Sequence, residues 1–143
     1  MIAVVPYKPE HLTSMVLQPD QAYLRAFITP EVASAVAAHE AFSALDEDGD
    51  VLGSAGVIKL WEGRGMAWAY LSVNARNYML PITKAVRRFL AICPLRRVEM
   101  TVDAEFAEGH RWANMLGFKL ECGRMRAYRP DGGACSLYAM VRQ

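Results

Sequence analysis

The chain has 143 residues, of which 53% are hydrophobic, and 16 basic against 15 acidic residues give a formal net charge of +1. This length and apolar content fit a core of ordinary size, and we expect residues 1–143 to form a single domain. The balanced charge gives no reason to expect binding to nucleic acid or to an anionic membrane surface.

The first third of the chain predicts a strand, two helices and a hairpin. Thr29 is a typical N-cap and Pro30 suits the first helical position. Gly49 lies in an acidic turn between two apolar segments, where a glycine supplies the positive φ of a hairpin turn. The turn lacks the spaced ligands and the terminal Glu of a calcium loop, and no metal site is predicted there. The expected elements are a strand at 2–6, helices at 8–18 and 30–38, and strands at 41–45 and 51–60.

The middle of the chain predicts a strand–helix–strand unit and is the most informative part of the sequence. An apolar strand at 66–73 precedes an amphipathic helix that begins near Pro81, and a strand at 98–102 alternates apolar and polar residues. A unit of about 30 residues normally pairs its two strands in parallel through a right-handed crossover. We therefore expect an α/β unit with a parallel strand pair.

The start of that helix is a candidate anion site. Pro81 in the first turn would leave the N–H groups of Ile82, Thr83 and Lys84 without intrahelical acceptors. Such groups and the positive end of the helix dipole can hold a phosphate, and Arg76 or Lys84 could add positive charge. A helix end that simply faces solvent explains the same pattern.

The last third predicts one helix and two strands, at 119–129 and 134–141. The helix ends before Gly117, which suits a left-handed cap, and Phe118 then packs back into the core. The last strand is apolar and would pair with a second copy of the chain if its edge were open, so a homodimer is left open.

Cysteine and histidine usage indicates no metal site and no oxidising compartment. The 3 cysteines lack CxxC spacing, which is typical of reduced, half-buried thiols. The 3 histidines are scattered and do not have the spacing of metal ligands. The apolar run at 1–5 is too short for a signal peptide or a membrane span. We expect a cytoplasmic protein.

The predicted order of elements is strand, two helices, three strands, helix, strand, helix and two strands. In this order, over nearly its whole length, the chain resembles the GNAT superfamily of N-acetyltransferases. Two local sequences strengthen the resemblance: Leu-Ser-Val at 71–73 before the central helix, and the helix end at 113–118 followed directly by a strand. The segments 110–112 and 125–133 are also similar to compact acetyltransferase-like proteins of bacteriophages and prophages. The resemblance implies an α/β fold with a mixed, mostly antiparallel sheet, a central parallel strand pair and flanking helices.

The resemblance further implies an acetyl-CoA site between the two parallel strands. In this superfamily those strands separate, and their unpaired backbone groups bind the pantetheine arm as an added strand. The pyrophosphate then lies on the loop and the helix start that follow the first strand. The residues placed at the cofactor in this way are Leu71, Ser72 and Val73 at the arm and acetyl group, Tyr78, Leu80, Ile82 and Thr83 at the phosphates, and Arg76, Lys84 and Arg88 as cationic neighbours.

The sequence departs from the superfamily pattern at several of these positions. The superfamily's phosphate loop has an Arg or Gln and two small residues at positions that fall on Tyr78, Pro81 and Thr83. A Cβ or a proline ring takes up room there, and Pro81 has no N–H to donate. The tyrosine that often serves as general acid is replaced by Ala113, and the Asn that often follows the fifth strand is absent.

Acetyl transfer to an amine needs a base for the amine and a proton donor for the leaving thiolate. His110, at the start of the last helix, is the first candidate for either role, because histidine ordinarily titrates near neutrality. Tyr128 is a second candidate acid, and Glu62 is a candidate base acting through water. Each also has a structural explanation: His110 as a helix cap, Tyr128 as a half-buried strand residue and Glu62 as a loop charge.

Two classes of function follow from the sequence. The first is an N-acetyltransferase that moves the acetyl group of acetyl-CoA to a primary amine of a protein, peptide or small molecule. The second is a catalytically inactive module of the same fold that binds a protein partner, for example in a phage particle. The missing loop glycines favour the second class, whereas Pro81 at a helix start and Arg76 nearby favour the first.

Overall fold

A computed structural model describes residues 1–142 of the chain and confirms the predicted order of elements. The sheet has the strand order β1-β2-β3-β4-β5-β7-β6, is mostly antiparallel and contains the parallel pair β4–β5. The predicted fold class is therefore confirmed. None of the helices within residues 1–142 combines the length and the apolar character needed to cross a bilayer. The elements are β1 Ala3–Pro6, α1 Pro9–Thr13, a 3₁₀ helix Pro19–Phe27, α2 Pro30–Val36, β2 Glu40–Leu45, β3 Val51–Trp61, β4 Arg64–Leu71, a 3₁₀ helix Ala75–Tyr78, α3 Met79–Ile92, β5 Arg97–Asp103, α4 Ala107–Met115, β6 Lys119–Met125 and β7 Cys135–Val141.

Three of the element boundaries that differ from the prediction have a local explanation. The helix expected at 8–18 ends at Thr13, because an extended segment and then a 3₁₀ helix with Pro19 at its start follow it. Helix α3 begins at Met79, so Pro81 is its third residue, a first-turn position that proline tolerates. Strand β6 ends at Met125, since the chain turns at Ala127, whose φ is 52°.

The chain divides into two compact units. The first comprises Met1–Ile58 and Trp68–Cys93. Its core is apolar, and the Tyr7 hydroxyl within it donates a hydrogen bond to the carbonyl of Ala33 at 2.8 Å. Burial raises the pKa of Tyr7 to about 12. The buried members of this core are Tyr7, Leu12, Met15, Leu17, Ile28, Ala33 and Val36, with Trp68 and Tyr70 of β4 packed against them.

The second unit comprises Lys59–Ala67 and the chain from Pro94 onwards. Strand β7 pairs antiparallel with β5 along its whole length, from Arg97–Val141 to Asp103–Cys135, and with β6 on its other side. The condition set for pairing of the last strand with a second copy is therefore not met, because both edges of β7 carry a partner strand. The strand at the edge of the sheet beyond β7 is β6.

Candidate active site

The backbone groups of β4 point alternately to its two edges. The Ser72 N–H donates to the carbonyl of Leu52 in β3 at 2.8 Å, so the even-numbered residues here face β3. The carbonyl of Gly63 accepts from the Arg97 N–H at 2.9 Å, so the odd-numbered residues face the edge that β5 uses. The groups that would hold an added strand are thus those of the odd-numbered residues.

The parallel pairing uses only the first part of this edge. The paired residues are Arg64–Arg97, Gly65–Val98 and Met66–Glu99, whereas β4 runs on to Leu71. The backbone groups of Ala69, Leu71 and Val73 therefore lie beyond the last pair with β5. This is the stretch that the superfamily resemblance assigns to the pantetheine arm.

Residues 16–21, which we call the strap, occupy that stretch of the β4 edge. The Gln18 N–H donates to the Leu71 carbonyl at 2.9 Å, and the Val73 N–H donates to the Val16 carbonyl at 2.9 Å. These two bonds flank an antiparallel bridge between Leu17 and Ser72. The strap thus lies against β4 as a short strand of the chain's own sequence.

The side chain of Gln21 completes the contact between the strap and β4. Its Nε2 donates to the Ala69 carbonyl at 2.8 Å, and its Oε1 accepts from the Leu71 N–H at 2.9 Å. Oε1 also accepts from Gln18 Nε2 at 3.0 Å. The carboxamide therefore presents to β4 the acceptor and donor that a backbone amide would present. The β4 edge thus has the hydrogen-bonding pattern that suits an extended arm containing amides. In this conformation of the chain, the strap occupies that edge.

Arg25 fixes the chain on the N-terminal side of the strap. Its guanidinium donates to the carbonyls of Leu12 at 2.9 Å, Met15 at 2.7 Å and Thr13 at 3.3 Å. Carbonyls at a helix C-terminus lack intrahelical donors, and a guanidinium there satisfies them and the helix dipole together. Arg25 thereby ties the two ends of the segment 16–24 to one another.

The start of α3 offers fewer amides than the sequence indicates. The helix begins at Met79 after Tyr78, which makes no side-chain cap, and the N–H groups of Ile82, Thr83 and Lys84 lie within the helical ladder. The expectation that these three amides are free is therefore wrong. Tyr78, Met79 and Leu80 carry the first-turn N–H groups instead, and Pro81 contributes none. The side chains of Ile82 and Thr83 are buried, and those of Arg76, Leu80 and Lys84 are exposed.

An acidic turn lies beside this helix start. The Tyr78 hydroxyl donates to Glu47 Oε2 at 3.1 Å, and this bond, with the charges of Glu47, Asp46 and Asp48, raises the pKa of Tyr78. The carboxylates of Asp46, Asp48 and Asp50 lie within 4.8 Å of one another. Carboxylates repel a pyrophosphate, so this end of the candidate site suits phosphates poorly.

His110 forms two hydrogen bonds in the second unit, one at each ring nitrogen. Its Nε2 lies 3.0 Å from the Ala104 carbonyl and its Nδ1 lies 2.8 Å from the buried Tyr138 hydroxyl. A carbonyl can only accept, so Nε2 carries a hydrogen, and Nδ1 of the neutral ring accepts from Tyr138. Both ring nitrogens are thus engaged in hydrogen bonds within the second unit. The arrangement joins the chain after β5 to β7.

Tyr128 and Glu62 are exposed. The Tyr128 side chain lies in the turn after β6 and is 49% exposed. The Glu62 side chain is 94% exposed and forms an ion pair with Lys59 at 3.0 Å. Within residues 1–142, no hydrogen bond joins any two of His110, Tyr128 and Glu62. Their catalytic roles stay predictions.

Sequence reasoning missed Gln18, Gln21 and Arg25, the polar residues that hold the strap. Gln21 and the backbone N–H of Gln18 bond to a strand about 50 residues away, and Arg25 bonds to carbonyls 10 to 13 residues before it. Such bonds leave no periodic pattern. Polar residues after a short helix read as ordinary surface residues. The single available signal is the Leu-Ser-Val sequence at 71–73, which marks the edge that they occupy.

Comparison with known proteins identifies the fold. No protein-family model matches the sequence, and no curated protein matches it. A GNAT acetyltransferase from Streptococcus pneumoniae superposes with a TM-score of 0.70 at 12% identity over 100% of both chains. A phosphinothricin acetyltransferase from Sinorhizobium meliloti, in complex with acetyl-CoA, gives 0.68 at 18% identity over 99% of this chain and 88% of that one. A mutant spermidine N-acetyltransferase from Vibrio cholerae gives 0.69 at 10% identity over 99% and 94%.

The chain has the fold of the GNAT acetyltransferases. Some structures of this fold hold acetyl-CoA, the cosubstrate of these enzymes. Identities of 10–18% establish the architecture and not the activity.

Proposed function

We propose that this protein is an N-acetyltransferase that transfers the acetyl group of acetyl-CoA to a primary amine. The observation that carries the proposal is the β4 edge at Ala69, Leu71 and Val73, where the backbone groups beyond the parallel pairing bind an extended segment as an added strand. The fold supports it, since neighbours of this fold include a spermidine N-acetyltransferase and an acetyltransferase with acetyl-CoA bound.

Acetyl-CoA would supply the activated acetyl thioester, and the backbone of β4 would orient it. The Leu71 N–H already donates to a carbonyl-type oxygen, Gln21 Oε1, at 2.9 Å, and the same N–H suits the carbonyl oxygen of an acyl group. Ala69 and Val73 on the same edge would hold the arm on either side. Glu62 and Tyr128 are the proposed base and acid, and His110 is proposed to hold Tyr138 and the turn after β5.

A second candidate function is a catalytically inactive module that binds a protein partner. It is favoured by the acidic turn beside the start of α3, where Glu47 bonds to Tyr78 and Pro81 lacks an N–H. A pyrophosphate meets fewer donors and more negative charge there than in a glycine-rich loop. The strap on the β4 edge favours it too.

Calorimetric titration with acetyl-CoA separates the two candidates. A dissociation constant in the micromolar to submillimolar range, about 5 to 8 kcal/mol, supports the acetyltransferase. The companion measurement is thiol release in the presence of a polyamine or a lysine-containing peptide, with acetyl-CoA alone as the blank. No heat up to millimolar acetyl-CoA overturns the first proposal and leaves the partner-binding module.

A further inference from the structure

We propose that the strap is an autoinhibitory cover of the β4 edge, which acetyl-CoA must displace in order to bind. This inference rests on the proposed function and adds its regulation. The strap and an extended arm compete for the same backbone groups, so the free chain is closed and the loaded chain is open along Ala69–Val73.

The competition follows from the hydrogen-bond inventory of the edge. The N–H groups of Leu71 and Val73 each have one hydrogen, which Gln21 Oε1 and the Val16 carbonyl already accept. The carbonyls of Ala69 and Leu71 accept from Gln21 Nε2 and the Gln18 N–H. An arm that lies along this edge as an added strand needs these groups, and it therefore cannot bind beside the strap.

The strap is attached in a way that permits release. The 3₁₀ helix Pro19–Phe27, which includes the second half of the strap, contains no buried residue, and at 9 residues it is longer than such helices usually are. Val16 is 67% exposed, and Leu17 is the buried residue of the strap. Arg25 holds both ends of the segment 16–24 at the end of α1, so the strap can lift as a closed loop while α1 stays folded.

Gln21 provides the first test, because its side chain makes two of the four bonds to β4 without using the backbone of the strap. Gln21→Ala is expected to tighten acetyl-CoA binding about tenfold, because the closed form loses the two side-chain bonds to β4 and the loaded form does not use them. Gln18→Ala is the matched control: it removes the bond to Gln21 Oε1 and keeps the backbone bond to Leu71. It should change affinity less than threefold.

A reversible crosslink provides the second test. Leu17 and Ser72 form a bridge without direct hydrogen bonds between them, a geometry in which Cα atoms lie about 4.5 Å apart and a disulfide is feasible. The double variant Leu17→Cys with Ser72→Cys is expected to lose acetyl-CoA binding when oxidised and to recover it on reduction. The two single variants, measured under both conditions, report any effect of the substitutions alone.

Amide hydrogen exchange measures the displacement of the strap from β4 independently of enzymatic activity. When acetyl-CoA binds, the Gln18 amide should lose protection because it loses the Leu71 carbonyl, while the Leu71 and Val73 amides stay protected by the new partner. Equal binding by the oxidised and reduced crosslinked forms, or an unchanged Gln18 amide, overturns the strap proposal alone. No binding by any form, Gln21→Ala included, overturns the proposed function and the strap proposal with it.

Discussion

Arg64 and Glu99 form a bidentate ion pair between the two parallel strands. Arg64 Nε donates to Oε2 at 2.5 Å and Nη2 donates to Oε1 at 3.0 Å, while Arg97 Nε donates to Oε2 at 2.6 Å. The Glu99 side chain is 5% exposed. The bond to Arg64, opposed by burial and helped by the bond to Arg97, lowers the pKa of Glu99 to about 2.

Glu99→Gln is expected to lower the free energy of unfolding at pH 7 by about 3 kcal/mol, because it leaves two guanidinium groups without their shared carboxylate. The folded-state pKa of Glu99 lies below its ordinary 4.5, so its stabilisation is present above that pH and is lost as the pH falls toward 2. Urea denaturation of both proteins at pH 7 and pH 3 should show the difference shrinking at the lower pH. Glu121→Gln, at a carboxylate that is 42% exposed, is the control and should cost below about 1 kcal/mol.

Gly109→Ala is expected to destabilise the second unit by about 2 kcal/mol. A Cβ at this position in α4 would lie 2.7 Å from Phe106 Cδ2 and 2.7 Å from Val102 Cγ1, so packed side chains would have to shift. Gly123→Ala in β6 is the matched control, since a Cβ there meets nothing within 4 Å. Thermal melts of both variants check the difference, and equal melting temperatures would contradict the close packing of α4 on β5.

His110→Ala is expected to lower the free energy of unfolding while leaving the rate of acetylation nearly unchanged. It removes both hydrogen bonds of the ring and leaves the buried Tyr138 hydroxyl without its partner, which should cost about 2 kcal/mol. The rate of amine acetylation per folded molecule should stay within about threefold of the parent, because both ring nitrogens are engaged in hydrogen bonds to Ala104 and Tyr138. Tyr138→Phe should cost less, since it removes one bond.

The measurement for His110 combines urea denaturation with thiol release under conditions where the variant is fully folded. A loss of about 100-fold in rate with unchanged stability would reinstate the histidine as base or acid.

S-acetylpantetheine, which lacks the nucleotide phosphates, is expected to bind within about tenfold of acetyl-CoA. The acidic turn beside Tyr78 cancels much of what the start of α3 would contribute to phosphate binding. Glu47→Gln should therefore tighten acetyl-CoA, and not S-acetylpantetheine, by about two- to fivefold at low salt. Calorimetry with both ligands measures this, and Glu31→Gln in α2 is the control. A 100-fold preference of the parent for acetyl-CoA over S-acetylpantetheine would contradict the poor fit of phosphates at the start of α3.

Residue patterns predicted the order of the elements, and the parallel pairing of β4 with β5 followed from the crossover between them. They also placed the acidic hairpin turn and the cap at Gly117, because periodicity and turn chemistry are local properties of the sequence. The strap was not predictable in this way. Its bonds run from Gln18 and Gln21 to a strand about 50 residues away, and only the folded chain brings them together.

The start of α3, where the phosphates were expected, shows the opposite case. Its local signal, Pro81, predicted the position of the first helical turn correctly, but the amides expected to be free there are not. Pro81 does belong to the first helical turn, yet the helix begins before it at Met79, so the amides of Ile82–Lys84 lie within the helical ladder. The nearness of Glu47 to Tyr78 depends on the tertiary fold of the hairpin and could not be read from either segment alone.

The place of β7 between β5 and β6 has a consequence for synthesis of the chain. Strands β5 and β6 are synthesised before β7, which pairs with both of them. The edges of β5 and β6 that bind β7 therefore stay unpaired until residues 135–141 have left the ribosome. Exposed strand edges favour association with other chains, and we expect nascent-chain folding of the second unit to be slow and dependent on chaperones.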